Sequence, residues 1–374
     1  MIAVSLKIAL WLAALGVLLP LLAGAVSRQR ARLVGREAPA ELVLFGETFA
    51  GGFTPIVEAF RALTRAPVPV AGAGRIWRIA SPFLWLAPWF VILAVVPFGG
   101  VFRFGDTRIA LVVAETDVGL VLVWLAFAAN ACVRAASRAA GGRAAEGRGS
   151  GWLAAQAAAA RAQAVSAAAA VSALGMVLWA GSLDLQAIVL AQDAVLPVFA
   201  APTAVWQAVL AVPAWGMFVQ PLGFALFVVS LLVAGERPPG HPADAGSWPP
   251  GPAARLANGL ARPVGAALVV ALFLGGGAVP YLPAERLIGA VSRVYGEGFA
   301  TGFVLLLQVG TFFAKVVGVA LVQAALSDRW SHRAAGALGT AAAPDRFVRR
   351  LLPLALANAG ATAVFLVASG GGAA

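Results

Sequence analysis

The stretch Ala80–Gly100, ASPFLWLAPWFVILAVVPFGG, lies between Arg78 and Arg103 and carries no charged residue. The hydrocarbon core of a bilayer is about 30 Å thick and is crossed by roughly 20 apolar residues in a helix, so this segment alone is long enough to span it. The rest of the chain has the same character. Of 374 residues, 61% are hydrophobic and only 11% charged, and the mean hydropathy is +0.89. A soluble domain carries roughly 25% charged residues, so a water-facing surface cannot be assembled from this composition. The class that remains is an all-α, polytopic membrane bundle forming a single membrane domain over residues 1–374.

The formal net charge is +11, from 27 basic residues of which only Lys7 and Lys315 are lysines. On so apolar a chain a basic excess marks cytoplasmic loops rather than a nucleic-acid footprint. The single Cys132 excludes an intrachain disulfide and a cysteine-based metal cluster, and His241 and His332 are too far apart in sequence to suggest zinc or haem ligation.

Working outward from Ala80–Gly100, eight spans are expected. The first is about Ile8–Val26. Ala23-Gly24-Ala25 resembles a signal-peptide cleavage site, but only Lys7 precedes the apolar run while Arg28, Arg30, Arg32 and Arg36 follow it, an order that retains the span. The third lies in about Leu111–Cys132, with Glu115 and Asp117 near its start, and the fourth is the Ala-rich QAVSAAAAVSALGMVLWAG. The uncharged interval between Asp193 and Glu236 could hold two helices, but Pro197, Pro202, Pro213 and Pro221 interrupt it. One span, about Leu210–Ala234, is expected, preceded by an interfacial shoulder. The last three are about Pro263–Val279, Gly302–Leu326 and Leu351–Ser369. Loops 27–78, 133–161, 235–262 and 327–350 then hold 21 of the 27 basic residues. Splitting Asp193–Glu236 would put Arg237, Arg255 and Arg262 outside, so the positive-inside bias favours the single span. Both termini are expected in the periplasm of a bacterial cell, with the chain multi-pass in the inner (plasma) membrane.

Two of these loops differ in kind. In 27–78, FTPIVEAFRALTR puts Phe53, Ile56, Phe60 and Leu63 on one helical face and Glu58, Arg61 and Arg65 on another. That pattern predicts an amphipathic helix over about 53–65, lying on the membrane surface. Loop 235–262 is rich in Pro and Gly and cannot be helical for most of its length.

Several segments, in order, resemble the quinone-chamber family of bacterial NADH–quinone oxidoreductase, the complex I membrane component that cups the quinone. The strongest likeness is VQPLGFALFVVSLLVAGERPP, Val219–Pro239, with Gln220, Pro221 and Gly223 opening an apolar span that ends at Glu236 and Arg237. TPIVEAFRALTR resembles the family helix that lines the quinone tunnel, which would give Pro55, Glu58, Arg61 and Arg65 that role, with Phe60 beside them. ETDVGLVL looks like the start of the family's third span, with Glu115 and Asp117 at its acid and Asn positions. RAQAVSA, with Arg161, Gln163 and Ser166, looks like the start of the fourth, and FFAKVVGVALVQAAL with RRLLPLALANA like the last two. The resemblance implies a component that is not catalytic alone. Quinone would be the substrate, iron–sulfur clusters and flavin would sit on peripheral partners, and other membrane subunits and lipid would surround it. A proton path would run through Glu115, Asp117, Glu236 and Lys315.

The departures are specific. Where the family places Tyr-Glu after Gln-x-x-Ser, Ala167 and Ala168 follow Ser166; Arg255 stands where a Glu is usual; and the loop after the fifth span has few acids beyond Glu236 and Asp244. The Arg-Gly-Pro-Asn signature after the first span is not recognisable. These gaps keep open a membrane anchor of a nickel–iron hydrogenase or formate hydrogenlyase type, and a non-pumping scaffold.

Each candidate also has a bland explanation. Glu58 and Arg61 suit a solvated helix face, where an ion pair is worth a few tenths of a kcal/mol. Glu115 and Asp117 are expected to be buried or nearly so, and intramembrane acids are costly unless paired; alternatively they sit at a helix N-terminus, stabilised by its dipole. Lys315, near the middle of the seventh span, is expected to face a polar cavity or a partner carboxylate. The Ala-rich fourth helix most simply lets its neighbours pack closely.

Overall fold

The computed structural model describes residues 42–44, 47–49, 75–99, 101–104, 107–110, 112–145, 150–197, 211–235, 252–282, 284–337 and 342–368. The described helices are α1 (Arg75–Val95), α2 (Gly119–Ala145), α3 (Ser150–Ala180), α4 (Leu185–Ala191), α5 (Gly216–Val219), α6 (Pro221–Gly235), α7 (Pro252–Phe273), α8 (Ala284–Tyr295), α9 (Glu297–Ala337) and α10 (Ala342–Ala368). The first expected span and the amphipathic segment at about 53–65 lie outside the described residues. Each of the other seven intervals falls on a helix. Three helices are long and apolar enough to cross a bilayer, within Ala159–Ala180, Glu297–Ser327 and Arg349–Ala368, and shorter apolar helices occupy Phe83–Val95, Gly119–Arg134, Pro221–Ala234 and Ala257–Phe273.

The core follows from helical stripes. Trp85, Trp89, Ile92 and Leu93 are buried on α1 while Phe83, Phe90 and Val91 are exposed, the spacing that separates two faces of a helix. α7 is different: every residue from Ala266 to Phe273 is buried, which makes it the central helix, packed by α1, α9, α6 and the short α4. On α9 the buried positions Ala300, Val304, Phe312, Val316, Ala320 and Ala324 step mostly by four. α3 packs against α2, α6 and α10, and its small side chains permit close approach on several sides.

Several boundaries move from the sequence-based expectation. The bundle is not purely helical, because antiparallel hairpins pair β1 (Leu42–Leu44) with β2 (Glu47–Phe49), β3 (Val101–Phe104) with β4 (Thr107–Ala110), and β5 (Val195–Pro197) with β6 (Ala211–Pro213). The β3–β4 hairpin lies between α1 and α2, and β5 and β6 lie between α4 and α5, where β-branched and aromatic residues fall between turn formers. In the fifth interval the long helix is α6, starting at Pro221 rather than about Leu210, because Ala211–Pro213 is strand, α5 is a single turn and Gln220 (φ −133°, ψ 60°) breaks the backbone before Pro221. Proline fits a helix start, where its missing N–H costs nothing. α7 begins eleven residues before Pro263 and carries that proline inside it; helix neighbours in membranes tolerate this. α9 and α10 also extend into the expected loop 327–350.

Candidate functional site

Two polar joints lie within the bundle. The first gathers at the end of α7, where Gly275-Gly276-Gly277 turns the chain. Gly275 and Gly276 have φ of +66° and +55°, a region that side chains with a Cβ avoid, and a Cβ on Gly275 would come within 2.6 Å of Trp215 Nε1. This turn aims three carbonyls inward. The Lys315 ammonium, from α9, donates to the carbonyl oxygens of Leu274 (2.7 Å), Gly276 (3.0 Å) and Ala278 (2.7 Å) and lies 4.2 Å from the centre of the Trp215 ring. An ammonium has three N–H donors, so all three are engaged. Its charge also meets the negative end of the α7 dipole and a ring face that attracts cations.

Beside it, Gln192 is fully buried. Its amide nitrogen donates to Ile188 O (3.2 Å) and Ala271 O (3.0 Å), and its oxygen accepts from Gly216 N (2.9 Å) and Gly275 N (3.0 Å). One side chain thus ties α4, α5 and α7 together. Next to it Asp193, exposed at its outer side, lines a shallow, open cleft with Gln192, Pro213, Trp215 and Tyr281. Partial loss of hydration and then the Glu285 carboxylate push the Asp193 carboxyl above its ordinary value of 3.8, while Lys315 pulls it down.

The second joint is neutral. Gln220 donates to Thr362 Oγ1 (2.9 Å), and its oxygen lies within hydrogen-bond reach of Asn358 Nδ2 (3.3 Å) and Thr362 Oγ1 (3.1 Å), linking the start of α6 to α10. Glycines make room for it. A Cβ on Gly175 would stand 2.7 Å from Gln220 Oε1, and one on Gly223 would stand 3.0 Å from Ser172 O. Gln163 joins α3 to α2 by donating to Ala128 O (3.0 Å), with Cys132 Sγ at 3.3 Å. Ser166 bonds back to Ala162 O (2.9 Å) within its own helix, and Arg161 is half-buried.

The expected site residues fare differently. Glu58, Phe60, Arg61, Arg65, Glu236 and Arg237 lie outside the described residues. Glu115 and Asp117 are exposed, in the turn just before α2 begins at Gly119, which corrects the expectation of burial and matches the helix-start alternative. Lys315 faces backbone carbonyls rather than a partner carboxylate in hydrogen-bond contact. Gln220, Pro221 and Gly223 meet at the neutral joint. Ala168, at the position where the resembling family carries a carboxylate, is buried in an apolar cluster with Leu226, Leu351 and Ala355. Sequence reasoning misses Gln192, Trp215, Asn358 and Thr362; the Gly-Gly-Gly run is the available signal for the first pair, and none marks the second.

The H subunit of the NADH-quinone oxidoreductase of Bacillus cereus (strain B4264) is 30% identical over 161 residues, covering 43% of this chain and 38% of that protein. The protein of the same name from Bacillus thuringiensis (strain Al Hakam) matches with the same identity and coverage. The chain therefore spans about two fifths of the length of the curated relatives it matches. A sequence model of the family described as NADH dehydrogenase matches residues 6–247, the larger part of the chain and the part that holds Gln163, Ser166, Gln192 and Gln220. The chain belongs to that family, NADH dehydrogenase.

Proposed function

We propose that the protein is a membrane subunit of a complex I-like NADH–quinone oxidoreductase, one membrane domain of eight spans that seats the quinone and links its reduction to charge movement. The observation that carries this is the family match over residues 6–247, which includes both the Thr54–Arg65 segment and Gln220 itself. In this proposal Glu58, Arg61 and Arg65 line the quinone tunnel with Phe60 packing beside them. A guanidinium suits the task because it donates charge-assisted hydrogen bonds to an oxygen that is gaining charge. The basic loops, on the cytoplasmic side, hold the peripheral subunits that carry iron–sulfur clusters and flavin, and both termini face the periplasm.

Among Glu115, Asp117, Glu236 and Lys315, the geometry suits Lys315 to a fixed positive charge rather than a proton carrier, because all three of its N–H groups are held by carbonyls. The apolar surroundings of Ala168 favour a weaker or differently routed proton path than the family's usual one. A membrane anchor of a nickel–iron hydrogenase or formate hydrogenlyase type, or a non-pumping structural scaffold, is the second reading on the same observation.

Arg61→Ala tests the tunnel. Losing a hydrogen bond from a charged donor costs roughly 1.5–3 kcal/mol, about ten- to a hundredfold in apparent quinone affinity, with assembly intact. Unchanged quinone kinetics in the assembled variant would remove Arg61 from the site. Purification in mild detergent should bring down a peripheral iron–sulfur module; hydrogenase subunits in its place would select the second reading.

A further inference from the structure

The connection between α7 and α9 carries a helix of its own, α8. In α8 the residues Ala284, Leu287, Ile288 and Val291 recur at i, i+3, i+4 and i+7, while Glu285, Arg286 and Arg293 fall outside that face. Gly296, at φ +85°, reverses the chain, and α8 folds back along α9: Ala284, Leu287 and Ile288 pack with Val304, Leu305 and Val309. The two helices form an antiparallel hairpin with its own small apolar cluster. The bundle meets α9 at Gln308, against which the Gly277 turn packs, and further on where Phe98 stacks on Phe313 and meets Phe312 edge-on and Lys315 binds the end of α7.

Its outer surface is aromatic. Tyr281, Val294, Tyr295, Phe299 and Phe303 are exposed by 58%, 72%, 67%, 57% and 43%, values that would be unfavourable in water for so many neighbouring apolar groups. Tyr295, Phe299 and Phe303 form a ladder with ring centres 5.1 and 6.3 Å apart. The chain has two tyrosines in all, and both bracket α8; tyrosine concentrates where bilayer meets water. The ladder runs without a break into the apolar window Glu297–Ser327 of α9. That window has 31 residues, about 46 Å of helix against a hydrocarbon core of about 30 Å, so its first turns occupy the boundary layer or reach it by tilting.

We infer that the α8–α9 hairpin is a lipid anchor in the headgroup layer of the leaflet opposite the arginine-rich loops. Tyr295, Phe299 and Phe303 rest in the acyl boundary, and Arg286 and Arg293 face phosphates and water. Phospholipid fits better than a partner protein because the aromatic ladder and the lipid-length apolar window form one continuous surface, and the charges lie off that surface on α8. The anchor holds the far end of α9, whose Lys315 is seated in the α7 turn, at a set depth.

Depth measurement by spin label tests this in the full chain with its co-purified partners, in vesicles of phosphatidylethanolamine and phosphatidylglycerol. Cys132 is the single cysteine, so a Cys132→Ser background can carry Tyr295→Cys, Phe303→Cys, Arg286→Cys and Arg293→Cys one at a time. Labels at 295 and 303 should broaden with dissolved oxygen and lose broadening by a water-soluble nickel chelate, while those at 286 and 293 should show the reverse. Nickel broadening at both 295 and 303 would place the hairpin in water and overturn the inference. Protection of both from either reagent would mean a protein covers them, and would overturn it equally. Two positions on each side keep the test open if one variant does not fold.

Discussion

At the end of α7 a cation makes the join; between α3, α6 and α10 a neutral amide does. Lys315 draws three carbonyls and the Trp215 ring around one charge, whereas Gln220 shares its single amide with Asn358 and Thr362. The charged joint is concentrated, since its three acceptors all come from one turn and converge on one ammonium. The neutral joint is distributed: each partner keeps some alternative, as Thr362 does by also donating to Asn358 O (2.9 Å). Buried charge raises the stakes of a contact because both the attraction and the penalty for an unpaired group grow as water is excluded.

The largest effect should come from Lys315→Met. Removing a half-buried ammonium that makes charge-assisted hydrogen bonds to three carbonyls costs about 3 kcal/mol, read as a loss of thermal stability of the detergent-solubilised protein. A variant as stable as the parent would show that water satisfies the Leu274–Ala278 carbonyls without the ammonium. Gln192→Leu comes next. It strips Gly216 N and Gly275 N of their acceptor, and a buried unsatisfied donor costs about 1–3 kcal/mol, so a drop of about 2 kcal/mol is expected, with weakened packing of α4 against α7 visible as faster amide exchange at Gly275.

Gln220→Ala should cost less. Side-chain hydrogen bonds between membrane helices average about 0.6 kcal/mol, so about 1 kcal/mol is expected for the set, and a Gln220→Ala/Lys315→Met pair should be additive because the two joints share no partner. Strong coupling between them would break the division into two joints. The smallest effect is a slope. The Asp193 carboxyl is held above its ordinary 3.8, so its contribution favours the folded state most below that value and is lost as pH rises through the raised folded value. Asp193→Asn should flatten that part of the stability-against-pH curve in the acidic range, while leaving the Gln220 joint untouched.

These sites are legible in the sequence to different degrees. Lys315 stands out because a charge in an apolar run is costly anywhere, and Gln220, Pro221 and Gly223 because they carry a family pattern. The nature of their partners is not legible. Lys315 suggests a carboxylate, but its acceptors are backbone carbonyls, which every residue possesses and no residue letter advertises. Gln192 sits at the end of a short helix and reads as an ordinary polar loop residue; only the fold brings Gly216 and Gly275 to its amide. Glu115 and Asp117 look buried because apolar residues surround them in sequence, yet α2 starts after them at Gly119 and they stay exposed.

Composition and charge spacing by themselves determined that this chain belongs in a bilayer and which seven of its described intervals carry the apolar helices. Those follow from local physics: apolar length, the missing proline N–H and the cost of a stranded charge act on the chain residue by residue. Tertiary structure alone decided which helix is central, which carbonyls receive Lys315, and that α8 doubles back on α9. Those depend on contacts between residues tens of positions apart, where a turn of two glycines at positive φ or a buried amide chooses among packings that the local pattern leaves equal.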